Sequence, residues 1–230
     1  MSNAVYIIVH IVLPILGCGL ALILSSSPLK TIIESDKKND LGSYNPLPSV
    51  AFFMTNVIWV IYGSMLKDVI VTIINCLMLV INLFIVSRSY KLCSASKRLE
   101  MDILILVYLT GILCFSLIFI YQEFSTTQIA FGNIAMLYNI SIFFFPLMSM
   151  KQIIETKDAS SIFVPFAVVA IVNCTYWSFY GILIQNLPMT IPNAIGASLS
   201  LLQYFLTLYY PSNKSSSNLK ENEYPSDMNL

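Results

Sequence analysis

Trp59-Val60-Ile61-Tyr62-Gly63 returns later in the chain as Trp177-Ser178-Phe179-Tyr180-Gly181, displaced by 118 residues. The same displacement relates Pro28 to Pro146, Thr72-Ile73 to Thr190-Ile191 and Asn75 to Asn193. A repeat fixes architecture before any local element is assigned, because each copy is one structural unit. Both copies lie in strongly apolar sequence. The chain of 230 residues is 57% hydrophobic and 10% charged, with mean hydropathy +0.77. About a quarter of residues are charged in an average soluble protein.

A helical span needs about 20 mostly apolar residues. Seven such stretches are predicted, at residues 5–28, 48–66, 69–88, 102–121, 127–149, 162–184 and 187–210. Open strands are excluded because lipid cannot satisfy their backbone groups, and the runs are too long for barrel strands. The predicted class is an all-α membrane protein. Residues 1–92 form the first three-helix repeat and residues 123–210 the second. Residues 93–122 supply a loop and the fourth span, which has no counterpart in either copy. Three spans reverse the side on which the chain emerges, so a single inserted span makes the two bundles parallel. Residues 211–230 read as a polar, disordered tail.

All but Lys67 of the 12 basic residues fall on one side if the N-terminus is outside and the C-terminus cytosolic. That asymmetry predicts N-out, C-in, in the plasma membrane or an endomembrane. Five cysteines, four of them within spans, give no disulfide framework. With net charge zero and no basic face, nucleic acid is not an expected partner. The lipid bilayer is. Self-association into a homo-oligomer is left open.

Depth follows from the helical rise of about 1.5 Å per residue. Trp59 and Asn75 each lie about 10 Å from the outer end of their adjacent helices, and the same holds for Trp177 and Asn193. The two repeats together thus predict a belt of two tryptophans and two asparagines. An amide in hydrocarbon needs a partner or a wet cavity, and interhelical packing is the alternative to cavity lining. A broad aromatic face suits the C–H face of a pyranose and amides suit its hydroxyls, so a neutral polyhydroxylated solute fits the set. Pro28 and Pro146, near the inner ends of their spans, are expected to kink or end helices; Pro48 and Pro165 stand at inner helix starts. Pro192 is expected to open the backbone beside Asn193. One turn outward of the tryptophans, Tyr62 and Tyr180 could bond across the mouth to Asp68 or Asn186 as an outer gate. Apart from His10, read as structural or interfacial, and Arg88 and Asp102 at the inner ends of spans three and four, no Asp, Glu, Lys, Arg or His occurs within these spans. Ion-coupled carriers generally place ionisable groups in the membrane, so downhill movement without cofactor or metal is expected.

The two Trp-x-x-Tyr-Gly strings, together with Phe145-Pro146-Leu147, Glu155-Thr156-Lys157 and Ile191-Pro192-Asn193-Ala194-Ile195-Gly196, resemble the SWEET (MtN3/saliva) sugar transporters. That family is among the known cases of parallel-repeat transporters. The resemblance spans residues 5–210. It implies bidirectional uniport of mono- or disaccharides by alternating access. By position, Asn75 and Asn193 resemble the family's sugar-binding asparagines and Trp177 its pocket tryptophan, with Trp59 as symmetry mate. Leu24, Ile142, Thr55 and Asn173 match size-selecting positions, and Pro28, Pro48, Pro146 and Pro165 the inner-gate prolines. The chain departs from the family in carrying Asn186 where an acidic residue is usual, and in a longer charged first inner loop (residues 34–45). Rival readings are a seven-helix receptor, disfavoured by the repeat, and a PQ-loop exporter of amino acids or other small solutes, disfavoured because both Pro28 and Pro146 precede Leu. An enzyme is not expected, since paired carboxylates or a Ser/His arrangement at depth are missing.

Overall fold

In the first span the helix does not stop at Pro28. Its chain runs Asn3–Ile7, a π-helical turn Ile8–Val12, Leu13–Ser26, and then a further helix Leu29–Lys38. Both irregularities have a proline behind them. Pro14 cannot donate to the preceding turn, and just before it the helix widens so that the Leu13 N–H bonds Ile8 O. Pro28 caps the next segment, with the Ser27 N–H bonding Leu24 O as the last turn tightens. This computed structural model describes residues 3–42, 44–159, 162 and 164–210, with side-chain positions at all of these except 165 and 166.

The other spans are Leu47–Met65, Val69–Leu92, Ala95–Phe119, Phe124–Thr156 (broken at Phe143), Val164–Leu183 and Leu187–Tyr209. The chain is an all-α membrane protein of seven spans. Spans one to three pack together, as do spans five to seven. Between the bundles, span two meets span five and span one meets span six, which are the same contact under the repeat. Span four lies against spans two and five. It buries only Met101, Tyr108 and Ile112, while Leu106, Leu109, Leu113 and Leu117 are exposed toward the lipid.

Backbone detail repeats as faithfully as sequence. Among the described residues, the four non-glycine residues with positive φ are Asn39 (51°), Lys67 (57°), Lys157 (57°) and Gln185 (55°). They form two pairs displaced by 118. Asn39 and Lys157 end the extensions of spans one and five beyond their breaks in the left-handed conformation. Lys67 and Gln185 turn the chain between spans two and three and between six and seven. In each of these turns a carbonyl of the motif glycine accepts the N–H five residues on: Asp68 N to Gly63 O at 3.0 Å, Asn186 N to Gly181 O at 2.8 Å.

The motif glycines are there for close approach. A Cβ on Gly181 would stand 2.5 Å from Thr190 Oγ1 and 2.9 Å from Thr190 N; on Gly63 it would stand 3.0 Å from Thr72 Oγ1. Spans six and seven, and two and three, therefore touch backbone to backbone. Between the bundles, Ala51, Met54, Ile58, Ile134 and Ala135 are essentially inaccessible and form the shared apolar core.

Three expectations need correcting. Residues 34–38 are helical, so the first inner loop starts only at Asn39; Asp36 there pairs with Arg88 (3.3 Å) and Lys91 (3.5 Å), tying the extension to span three. Span five does not end at 149 but continues to Thr156, and its break is at Phe143, three residues before Pro146. Pro192 does not open span seven. It is buried within a continuous helix, and the only partner its missing N–H forgoes is the carbonyl of Pro188, in the first turn. The tail 211–230 lies outside the described residues.

Candidate functional site

Each asparagine of the belt bonds back onto its own helix. Asn75 Nδ2 donates to Val71 O at 2.8 Å, and Asn193 Nδ2 donates to Met189 O at 2.7 Å. The acceptors are repeat mates as well. No further hydrogen bond of either amide occurs among the described residues, so the Oδ1 atoms and remaining N–H groups are not consumed in packing.

Both amides face a cavity of about 1440 Å³ between the bundles. This exceeds the roughly 300–1,000 Å³ of an ordinary small-molecule site. It does so because it joins an aromatic and amide layer to a vestibule. That layer holds Trp59, Trp177, Asn75, Asn193, Thr55 and Asn173; Leu24, Ile142, Pro28, Pro48 and Pro146 also line the wall. The vestibule reaches Lys30, Tyr44, Lys151, Gln152 and Glu155 at one end of the molecule. Tyr44, in the loop before span two, hydrogen-bonds Ser49 at 2.5 Å. Burial raises its phenol above the ordinary value, with that hydrogen bond opposing the shift, so it is neutral at physiological pH.

Trp59 and Trp177 are 7% and 8% exposed, which is far from interfacial anchoring. Each meets the tyrosine three residues on edge to face, with centroids 5.7 Å apart for Trp59–Tyr62 and 5.6 Å for Trp177–Tyr180. Gly17 lets span one press on span six here: a Cβ would stand 2.8 Å from the Trp177 ring.

Tyr62, Tyr180, Asp68 and Asn186 do not line the cavity. They lie beyond the tryptophans, at the opposite end. Asn186 Nδ2 donates to Tyr62 Oη across the bundle interface, at a long 3.4 Å. Asp68 makes no matching bond to Tyr180. Its carboxylate instead caps span three by accepting the Val71 N–H at 3.0 Å, as Asn186 Oδ1 accepts Met189 N–H at 3.0 Å for span seven. Of the expected cross-mouth contacts only Asn186–Tyr62 forms, and Asp68 is a helix cap. The side chain of Pro165 lies outside the described residues. His10 is exposed in the π turn, its ring 4.6 Å from that of Tyr6.

Several wall residues went unread in the sequence. Asn82 and Ser200, two turns from Asn75 and Asn193, are buried and line the cavity, and Asn82 Nδ2 bonds Ser25 Oγ at 2.7 Å. They are displaced by 118, so the repeat itself could have flagged them. Asn56 also lines the wall, and only its polarity inside a span marks it. Among the described residues no cluster of His, Cys, Asp or Glu could hold a metal.

A model of the family described as "Sugar efflux transporter for intercellular exchange" matches residues 11–97 and again 129–215, a displacement of 118 at both ends. The chain belongs to this family. Among similar curated proteins are the bidirectional sugar transporters SWEET7 and SWEET8 of Arabidopsis thaliana. SWEET7 is 27% identical over 91% of this chain and 84% of its own length. SWEET8 is 28% identical over 94% of both. SWEET4 of Oryza sativa subsp. japonica is 25% identical over 86% and 79%. A solved eukaryotic SWEET transporter superposes with a TM-score of 0.75 at 22% identity, covering 90% of this chain and 98% of its own. That likeness bears out the seven-span layout.

Proposed function

We propose that this protein is a facilitative, bidirectional transporter of mono- or disaccharides that works by alternating access. One observation carries the reading: a single cavity brings both tryptophans and both asparagines together, reaches one end of the protein, and has no Asp, Glu, Lys, Arg or His at the tryptophan–asparagine layer. The charged wall residues Lys30, Lys151 and Glu155 lie at its mouth. Relatives along most of the chain are named bidirectional sugar transporters.

The units of movement are residues 1–92 and 123–210, with 93–122 as the connector. The Asn186–Tyr62 contact and the packed tryptophan–tyrosine pairs seal one end, while the segments after Pro28 and Phe143 flank the open one. In the alternative state those segments converge, bringing Pro28, Pro48, Pro146 and Pro165 together, and the Tyr62 contact parts. The bias of positive residues toward that end supports an open end facing the cytosol of an N-out protein in the plasma membrane or an endomembrane. The chain acts as a carrier and not as an enzyme.

Labelled D-glucose or sucrose uptake in a transporter-deficient host tests the mode. Flux should be unchanged by a protonophore or by sodium removal, and should stop when internal and external concentrations match. Accumulation above the external level would exclude uniport. Because the Asn186–Tyr62 hydrogen bond is long, Tyr62→Phe is expected to alter counterflow by no more than about threefold, in keeping with about 0.5 kcal/mol for a weak hydrogen bond. A tenfold loss would assign the hydroxyl a role beyond this contact.

A further inference from the structure

Outside the Asp36 ion pairs, two buried side-chain atoms among the described residues have no hydrogen-bond partner: Nδ2 of Asn56 and Oδ1 of Asn173. One is a donor and the other an acceptor. The residues are 5% and 7% exposed, and both line the cavity. A buried polar group left unpaired is costly, and native folds rarely keep one without a reason. Two in the lining of one cavity, of complementary type, are what a bound polar solute would complete.

Asn56 lies one helical turn from Trp59 along span two, on the vestibule side. Interhelical packing is the plain alternative, and it requires a bonded partner on a neighbouring span. Asn82, bonded to Ser25, has one; Asn56 has none. Its neighbour Thr55 does engage the next span, with its hydroxyl 3.4 Å from Tyr138 O. The repeat mate of Asn56 is Cys174, so here the wall loses its symmetry, an amide on one side facing a thiol position on the other.

We propose that Asn56 is a further solute-binding residue: both atoms are shielded from the cavity as the side chains stand, and on sugar binding a turn of each side chain lets the Asn56 amide N–H donate to an oxygen of the sugar beside Trp59 and Asn173 Oδ1 accept from a hydroxyl. The Trp and Asn pairs are related by pseudo-symmetry and cannot by themselves tell one end of a sugar from the other. Unsymmetrical positions can, and Asn56 opposite Cys174 and Asn173 opposite Thr55 together fix the orientation of a solute that has no two-fold axis. This inference rests on the sugar-transport reading.

The test uses the purified full-length chain, with Asn56→Cys, which copies the repeat mate, and Asn56→Ala. Two quantities are measured: KM and maximal rate of counterflow in proteoliposomes, for whichever of D-glucose, D-galactose and sucrose the parent carries fastest, and the melting temperature without sugar. KM should rise about fivefold with little change in maximal rate, as for loss of one neutral hydrogen bond. The sugar-free melting temperature should not fall, because the side chain removed has an unpaired buried donor. An unchanged KM, a lowered melting temperature in both variants, or failure of both to fold would overturn the proposal and make Asn56 structural. A parent that carries none of the three sugars would overturn the sugar reading itself, and this assignment with it.

Discussion

Asn75→Ala and Asn193→Ala are each expected to cut sugar counterflow by about 10- to 100-fold, the equivalent of about 1.4–2.8 kcal/mol, while leaving a folded protein. The two halves of that expectation have separate causes. Each amide spends one N–H on the carbonyl four residues back in its own helix, at 2.8 Å and 2.7 Å, a contact that adds little to a helix already holding its ladder. Neither is bonded to another span, so alanine removes no interhelical tie. What is lost is the rest of the amide, which faces the cavity. A polyhydroxylated solute entering that layer gives up its water. Without the amide its hydroxyls have nothing to replace that water with, and the penalty falls on the occluded state through which every transport cycle passes. Counterflow in proteoliposomes, read beside elution profile and melting temperature, checks both halves. A variant that retains more than half of parental flux would remove that asparagine from the binding layer.

Gly181→Ala is expected to destabilise the protein by about 1–3 kcal/mol, although alanine ordinarily improves a helix over glycine by up to about 1 kcal/mol. The new Cβ would stand 2.5 Å from Thr190 Oγ1, 2.9 Å from Thr190 N and 3.1 Å from Thr190 Cα. A hydroxyl can rotate; a backbone nitrogen cannot. Spans six and seven would have to part, and Asn193 sits one turn along from Thr190. Gly63→Ala is the internal control. Its contacts are 3.0 Å and 3.1 Å to side chains and 3.3 Å to the Thr72 backbone, so a shift of a few tenths of an ångström accommodates it. Melting temperatures of the two variants in detergent should rank Gly181→Ala well below Gly63→Ala. Equal values would mean that the helix contact is softer than its geometry implies.

The glycine comparison also shows how far a sequence can be read. The strings around Tyr62-Gly63 and Tyr180-Gly181 look alike, and their turns agree to within a few degrees at Lys67 and Gln185. Yet the clearance at the two glycines differs by half an ångström, a packing difference that no pattern of residue types records. The same holds for the helix breaks. Pro28 and Pro146 are repeat mates, and the break falls at Pro28 in one copy and at Phe143 in the other. Proline removes one hydrogen bond; which residue absorbs the bend depends on what the neighbouring spans can accept. For Phe143 those neighbours include Gly196, where a Cβ would stand 2.6 Å from the Phe143 ring.

By itself the sequence determined the seven spans, their grouping by a 118-residue displacement, and the meeting of Trp59, Trp177, Asn75 and Asn193. Hydropathy is summed along a single span, and a repeat forces equal depth on its mates, so neither conclusion needs the other half of the molecule. Tertiary structure alone decided that Tyr62, Tyr180, Asp68 and Asn186 lie outside the cavity, that Asn186 reaches Tyr62 while Asp68 caps its helix, and that Asn56 is left without a partner. Those are contacts between residues far apart in the chain, and they depend on the angle between two bundles. An alternating-access carrier must be able to set that angle in more than one way with the same residues, so local sequence cannot choose it.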